Sequence, residues 1–480
     1  MPDRLSALDA SFLYLEDSTT PMHVGGVAVF RRPKAGFDYD KLVDLIEQRL
    51  SLVPRYRQKV VQVPGRIARP VWVDDPDFDV TYHVRRSALP KPGNETQLDD
   101  LVARLMSRPL DHSRPLWEIY LVEGLEKNQT AVITKTHQAM IDGIASLEIG
   151  QVMLDVSPTP RTNVENLWMP QPEPSSLQLV ADAVTDIVQR PGELVENVRS
   201  AALDTVNTVE KVFNAFGVLA SAVRTVATPA SGSPLNVRIT SPQRRFAVAR
   251  AQLDDLRAIR KQHGGTVNDV VLAALSGALR NWLLSRGENV TGSTTIRAMA
   301  PLSVREADPD SGNNVSAYLV DLPVGEPNPV VRLHHVSHAM RAHQESGQSV
   351  AADALVKVSG FAPPTLHALG ARAASSFSRR LFNVIVTNVP GPQVPLYAAG
   401  ARMTEIFPVV PLAKNQALAI GVTSYDGRVF YGITADRDLV PDADVLGQCV
   451  TEALTELIDT ANGGRPKIPR GRRKKAAPKK

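Results

Sequence analysis

Hydrophobic positions along the chain alternate between a period near two and a period near 3.6, and the changes mark out its elements. Leu42, Leu45, Ile46 and Leu50 form a helical stripe over residues 40–50, and residues 98–106 carry a second. Residues 24–30 read as a strand, and Pro70-Val-Trp72-Val as a short one. Trp117, Ile119 and Leu121 alternate with Glu118 and Tyr120, the pattern of a strand. Residues 123–129 turn the chain, and the β-formers of residues 130–136 bring it back. The pattern predicts a hairpin that delivers His137 to one end of a sheet, followed by a helix over residues 144–154.

Pro158, Pro160, Pro170, Pro172 and Pro174 then signal a linker. Residues 177–228 read as helical, with Val180, Val184 and Ile187 on one stripe and Leu194 to Val212 on the next. A helical crossover between two halves fits this stretch better than a membrane-surface helix, which carries a Lys/Arg-rich face opposite Trp or Phe. Beyond residue 235 come a strand at Arg245, a helix from Thr266 to Trp282, strands over residues 295–304, 315–322 and 382–389, and a hairpin over Asp426-Gly427. Leu446, Cys449, Val450, Ala453, Leu454 and Leu457 predict a last amphipathic helix. The organisation expected is residues 1–160 as an N-terminal half, 161–234 as linker and crossover, 235–462 as a C-terminal half, and 463–480 as a disordered basic tail.

Composition changes this picture in two places. The net charge of +4 comes from the tail: residues 465–480 hold nine Lys/Arg and no acid, so without them the balance falls to −5. Such a tail suits contact with anionic lipid, and the acidic body argues against nucleic acid. The single cysteine, Cys449, excludes an intrachain disulfide and fits a reducing cytoplasm. No secretory leader and no run of about 18 apolar residues is present.

Candidate chemistry gathers at His137-Gln138-Ala-Met-Ile-Asp142-Gly143, where a strand meets a turn. His334 and His338, at helical spacing beside His335 and His343, read as the polar face of a surface helix and not as a metal site. Thr266 and Asp269 fit a capping box. Phosphate loops, a nucleophile-elbow serine and paired metal-binding cysteines are lacking.

In order and spacing, five motifs resemble the bacterial wax ester synthase/diacylglycerol acyltransferase family of the CoA-dependent acyltransferases. They are Ser6-x-x-Asp9-x-x-Phe12-Leu13 with Pro21-Met22-His23; Pro115-Leu116-Trp117; His137-x4-Asp142-Gly143; Asn268-Asp269; and Val386-Thr-Asn388-Val-Pro-Gly391-Pro392. The resemblance implies an α/β (α+β) fold of two chloramphenicol-acetyltransferase-like halves with an active-site tunnel between them. It also implies transfer of a long-chain acyl group from acyl-CoA, a substrate and not a cofactor, to diacylglycerol or a long-chain alcohol. By the same resemblance His137, Gln138, Asp142 and Gly143 occupy the catalytic motif, Pro115, Leu116, Trp117, Asn268 and Asp269 contact substrate, and no metal takes part. The expected location is cytoplasmic, peripheral at the inner membrane or at lipid inclusions through the tail.

One position departs from the family pattern, His-His-x-x-x-Asp-Gly, whose second His is the general base. Aligned on Asp142-Gly143, that position is Gln138. A neutral amide takes no proton, and adjacent side chains on a strand face opposite ways. Three readings follow: a weakened acyltransferase using Gln138 to orient the acceptor or His137 displaced into the site; a non-catalytic homologue that binds acyl-CoA or neutral lipid; or a partner of active relatives.

Overall fold

The structure, a computed structural model, describes residues 3–34, 36–141, 149–161, 168–189, 230–303, 315–346 and 381–463. Its strands, in chain order, are β1 (Asp3–Arg4), β2 (His23–Arg31), β3 (Gln58–Val61), β4 (Val71–Asp74), β5 (Val84–Ala88), β6 (Trp117–Leu125), β7 (Gln129–His137) and β8 (Arg244–Gln252). They continue as β9 (Ile296–Ser303), β10 (Val315–Leu322), β11 (Val384–Pro390), β12 (Tyr397–Ala398), β13 (Ala401–Val409), β14 (Leu418–Tyr425) and β15 (Arg428–Asp436).

The hydrophobic pattern places most of these. Residues 117–137 form the expected hairpin, with Trp117 opposite Thr136 and Leu121 opposite Val132. Its two strands become the inner members of a six-stranded sheet ordered β12-β13-β2-β7-β6-β5. A second six-stranded sheet runs β10-β9-β11-β14-β15-β8, and β1, β4 and β3 form a small third one. Both large sheets are mixed, with β5 parallel to β6 and β11 parallel to β9 and β14. The chain is thus a mixed α/β protein of two halves, each built on its own sheet.

One stretch beyond residue 235 crosses to the first sheet. Strand β13 leaves the C-terminal half and pairs antiparallel with β2, Phe407 opposite Val27 and Val409 opposite Gly25. Its sequence conceals it, because a register shift between Met403 and Glu405 breaks the alternation. The N-terminal core accordingly includes Ala401, Met403 and Phe407 beside Phe30, Leu42 and Trp117.

Helices cover the sheets as their stripes predict. Helix Tyr39–Arg49, capped by Asp38, buries Leu42, Leu45 and Ile46. Helix Glu95–Met106 opens on an Asn94/Gln97 capping box and buries Leu98, Leu101, Val102, Leu105 and Met106. In the C-terminal half, helix Val267–Ser285 is buried along most of its length against helix Ala443–Ala461, which brings in Leu446, Val450 and Leu457.

Of the predicted crossover, the described part is helix Ser176–Gln189. The face it buries is Leu179 and Ala183, packed on Val63, Val71 and Val73 of the small-sheet layer, while Val184 is exposed. The expected stripe through Val180 and Val184 is therefore displaced by one residue, because the small sheet meets the neighbouring face. The rest of the crossover and the basic tail lie outside the described residues. None of the described helices is long and apolar enough to cross a membrane.

Candidate active site

Strands β2 and β7 pair so that His23 lies opposite His137 at their ends. Residues opposite one another on an antiparallel pair share a face of the sheet, so both imidazoles stand on the face that also carries Val27 and Ile133. The backbone at His137 is fixed from both sides. Its N–H donates to Leu116 O at 2.9 Å, and the next N–H, that of Gln138, donates to Met22 O at 2.8 Å. A single 3₁₀ turn, Gln138–Met140, then bends the chain away. His137 caps that turn itself, its Nδ1 accepting the Ala139 N–H at 3.0 Å.

Glu16 is the centre of the polar cluster. Helix Ala7–Leu15 starts on the Ser6 cap, where Ser6 Oγ accepts the Asp9 N–H at 3.0 Å, and it ends at Glu16. Past it, Asp17 takes the N–H groups of Thr19 and Thr20 and fixes the turn that leads into β2. Glu16 Oε1 accepts the Met22 N–H at 3.1 Å and lies 3.5 Å from His23 Nε2. Glu16 Oε2 lies 3.4 Å from His137 Nε2 and 2.8 Å from His112 Nε2. The rings of His23 and His112 stand 6.3 and 5.9 Å from that of His137, edge to face. Three histidines thus surround one carboxylate whose side chain is 11% exposed.

The electrostatics follow from that geometry. Burial raises the Glu16 carboxyl, but hydrogen bonds from His112 and His137 and the charges of His137 and His23 outweigh it and hold the group far below the usual carboxylate range. His23 is pushed well below its ordinary value by burial and by the Lys135 charge, against the pull of Glu16. His112 goes the other way: its hydrogen bond to Glu16, with the charges of Glu16 and Asp111, outweighs burial and raises it.

These contacts decide what His137 can do. The ring is fully buried. With Nδ1 accepting a backbone N–H, the neutral ring carries its hydrogen on Nε2, aimed at Glu16. No lone pair is left for a substrate proton. In this arrangement Nδ1 serves the turn and Nε2 faces the Glu16 carboxylate at 3.4 Å. Gln138 follows on the turn, half-buried, with a side chain that is a neutral amide. Asp142 and Gly143 lie outside the described residues.

Pro115, Leu116 and Trp117 hold the strand end from behind. Leu116 and Trp117 are fully buried. The Trp117 indole donates to Tyr56 O at 2.7 Å, and its ring stacks on His83 at 4.5 Å between centroids. They reach the strand end through the Leu116 carbonyl that fixes His137. In the C-terminal half Asp269 closes the capping box with Thr266, Oδ2 to Thr266 N at 2.8 Å. Asn268 Oδ1 accepts from Asn388 Nδ2 at 2.9 Å, joining the helix start to β11. The sequence marked both of these motifs without placing them in contact, and it missed Glu16 and His112, which lie 96 residues apart in the chain. The available signal was position alone: His112 precedes the Pro-Leu-Trp motif, and Glu16 ends the opening helix.

A cavity of about 320 Å³ lies between the two large sheets. Val27, Val29 and Phe407 line it from one side, Phe246, Val248 and Arg250 from the other. By strand alternation it shares the sheet face of the His137 ring. Buried Lys135 stands between them on β7, its Nζ donating to Arg108 O at 2.6 Å and facing Glu118 at 3.4 Å. At the cavity's rim burial and the neighbouring Glu95 push the Asp99 carboxyl up to about 8, against the pull of Arg250. His334 bonds the His263 carbonyl at 3.2 Å, and it, His335 and His338 are exposed on helix Pro329–Ser346.

Residues 5–271 match the model of the wax ester synthase/diacylglycerol acyltransferase catalytic domain, and residues 311–458 match that family's C-terminal domain. The probable diacylglycerol O-acyltransferase tgs3 of Mycobacterium tuberculosis is 50% identical over 264 residues, 55% of this chain and 97% of that protein. The probable diacylglycerol O-acyltransferase tgs1 of the same organism is 33% identical over 460 residues, 95% of this chain and 96% of that one. Among solved structures, the wax ester synthase/diacylglycerol acyltransferase of Marinobacter aquaeolei VT8 superposes with a TM-score of 0.68, at 27% identity, over 96% of this chain and all of that one.

Proposed function

The chain belongs to the wax ester synthase/diacylglycerol acyltransferase family and is an acyltransferase of that class, and from this premise we propose that it moves a long-chain acyl group from acyl-CoA to diacylglycerol, making triacylglycerol. A long-chain alcohol, giving a wax ester, is the second acceptor class. The observation that carries the reading is the match over nearly the whole chain to a relative named as a diacylglycerol O-acyltransferase. One wall of the cavity between the sheets, Val27, Val29, Phe246, Val248 and Phe407, suits an acyl chain, while Glu95, Asp99, Arg250 and Glu405 make the rest of it charged. Acyl-CoA enters as substrate, and the reaction as written calls for no cofactor. The protein works from the cytoplasm, with the basic tail drawing it to anionic lipid at the inner membrane or at lipid inclusions.

A specific observation supports a second reading. Gln138 stands where the family's base belongs, and His137 has no free lone pair. A homologue that binds acyl-CoA or neutral lipid without turnover would tolerate both. The deciding experiment incubates labelled long-chain acyl-CoA with diacylglycerol and, separately, with a fatty alcohol, using the wild type and Gln138→His. Labelled triacylglycerol from the wild type supports the first reading. A silent wild type and an active Gln138→His would select the second.

A further inference from the structure

We propose that His112, held by Glu16, is the general base of the acyl transfer, in place of a histidine at position 138. The inference rests on the acyl-transfer reading above and names the residue that supplies its missing proton acceptor.

Four ionisable side chains meet at the turn after β7, and two of the three histidines are closed off from solvent. Glu16 is the shared carboxylate. His23 is buried beneath it, and His137 is sealed with Nδ1 on the Ala139 N–H. His112 is the one with an open ring: its side chain is 49% exposed, against 0% for His137 and 1% for His23. It lies 5.9 Å from the His137 ring, centre to centre, next to the first position of the family's histidine motif.

Its orientation suits the task. Glu16, an ionised carboxylate, can only accept, so the 2.8 Å contact places the ring hydrogen on Nε2. The lone pair is then on Nδ1, to which no described residue donates. The carboxylate behind Nε2 stabilises the imidazolium that forms on proton uptake, the role that the acid plays behind histidine in a Ser-His-Asp triad. The loop is held in place. Asp111 Oδ1 takes the Ser113 N–H at 2.9 Å, and the Arg114 guanidinium sits 4.1 Å over the Tyr82 ring. The charged and titratable groups facing His112 are Glu16 from the opening helix, His137 from β7 and Asp111 from its own loop. Glu16 and Asp111 together raise its proton affinity.

The step balances. The acceptor hydroxyl oxygen attacks the thioester carbonyl carbon while its proton passes to His112 Nδ1. The tetrahedral oxyanion collapses, the C–S bond breaks, and the electron pair leaves on sulfur. The imidazolium returns its proton to that sulfur, giving ester, free CoA thiol and neutral His112.

The test measures transfer from labelled acyl-CoA to diacylglycerol across pH for wild type, His112→Ala, His112→Gln and Glu16→Gln, with folding followed by circular dichroism. His112→Gln keeps a donor for Glu16 and serves if the alanine variant does not fold. Expected are a loss of about 10²–10⁴-fold in kcat for the His112 variants, a KM for acyl-CoA near that of the wild type, and partial recovery of His112→Ala by added imidazole. The wild-type acid limb should lie above the ordinary histidine value, and Glu16→Gln should move it to lower pH. Wild-type rates in the folded His112 variants would overturn the assignment. So would a loss that imidazole does not restore and that leaves the acid limb in place. A wild type that transfers to neither diacylglycerol nor fatty alcohol would overturn the transfer reading itself, and this inference with it.

Discussion

Glu16 Oε2 stands 3.4 Å from His137 Nε2 while the backbone of Ala139 occupies the other nitrogen of the same ring. His137 thus stands between the end of the opening helix and the turn after β7. His137→Ala removes the acceptor for a buried N–H and should cost about 1–3 kcal/mol, read as a lower denaturation midpoint, with activity falling because the turn is released. His137→Asn keeps an acceptor near the Nδ1 position and should recover much of both. Equal stability of the alanine variant and the wild type would refute the link.

The same cluster sets an acid limit on stability. His23 titrates well below 6.5 when folded, so below pH 6.5 the unfolded chain binds a proton that the folded chain does not, and stability falls with pH. Glu16, depressed from 4.5, contributes fully above that value and loses its contribution as pH falls further, so the decline steepens there. His112 is raised, and its contribution is complete below 6.5 and lost above it, so it leaves this window flat. Urea midpoints at pH 6.5 and 5 should therefore separate for the wild type and close up for His23→Gln. An unchanged slope in that variant would assign the acid sensitivity elsewhere.

What the sequence made legible was what repeats locally. Hairpins, helix caps and the strand that ends at His137 each leave a periodic or capping signature within a few residues. The tie between Asn268 and Asn388 spans 120 positions, yet both residues were marked because each sits in a motif. Glu16 and His112 left no such mark. A charged residue at a helix end and a histidine in a polar loop look like surface, and only the closing of β2 on β7 turns them inward. Strand β13 was missed for a related reason: its pairing partner belongs to the other half, and its bulge interrupts the alternation.

Trp117 distinguishes scaffold from substrate contact. Its indole N–H is the partner of the Tyr56 carbonyl in a fully buried setting. Trp117→Phe leaves that oxygen unpaired and should destabilise by about 1–3 kcal/mol, while the KM for acyl-CoA stays near that of the wild type. A large rise in KM at unchanged stability would instead place the ring against substrate.

The contact between the two sheets gives the sharpest packing prediction. Gly432 on β15 faces Pro408 on β13, and a Cβ added there would land on the Pro408 carbonyl oxygen. The obstruction is backbone, which no rotamer change can relieve. Pro408 is itself held by pairing with Gly26 on β2, so it cannot retreat without parting the first sheet. Gly421 on β14 leaves the same opening, since its added Cβ would meet the Pro408 ring at 2.8 Å. Two adjacent glycines thus let the C-terminal sheet close on the strand it lends to the N-terminal one. Gly432→Ala should cost at least the about 1–3 kcal/mol typical of overpacking. Gly292→Ala, where nothing lies within 4 Å, should leave the denaturation midpoint near that of the wild type. If the two variants unfold at the same denaturant concentration, the sheets do not meet at Pro408 as described.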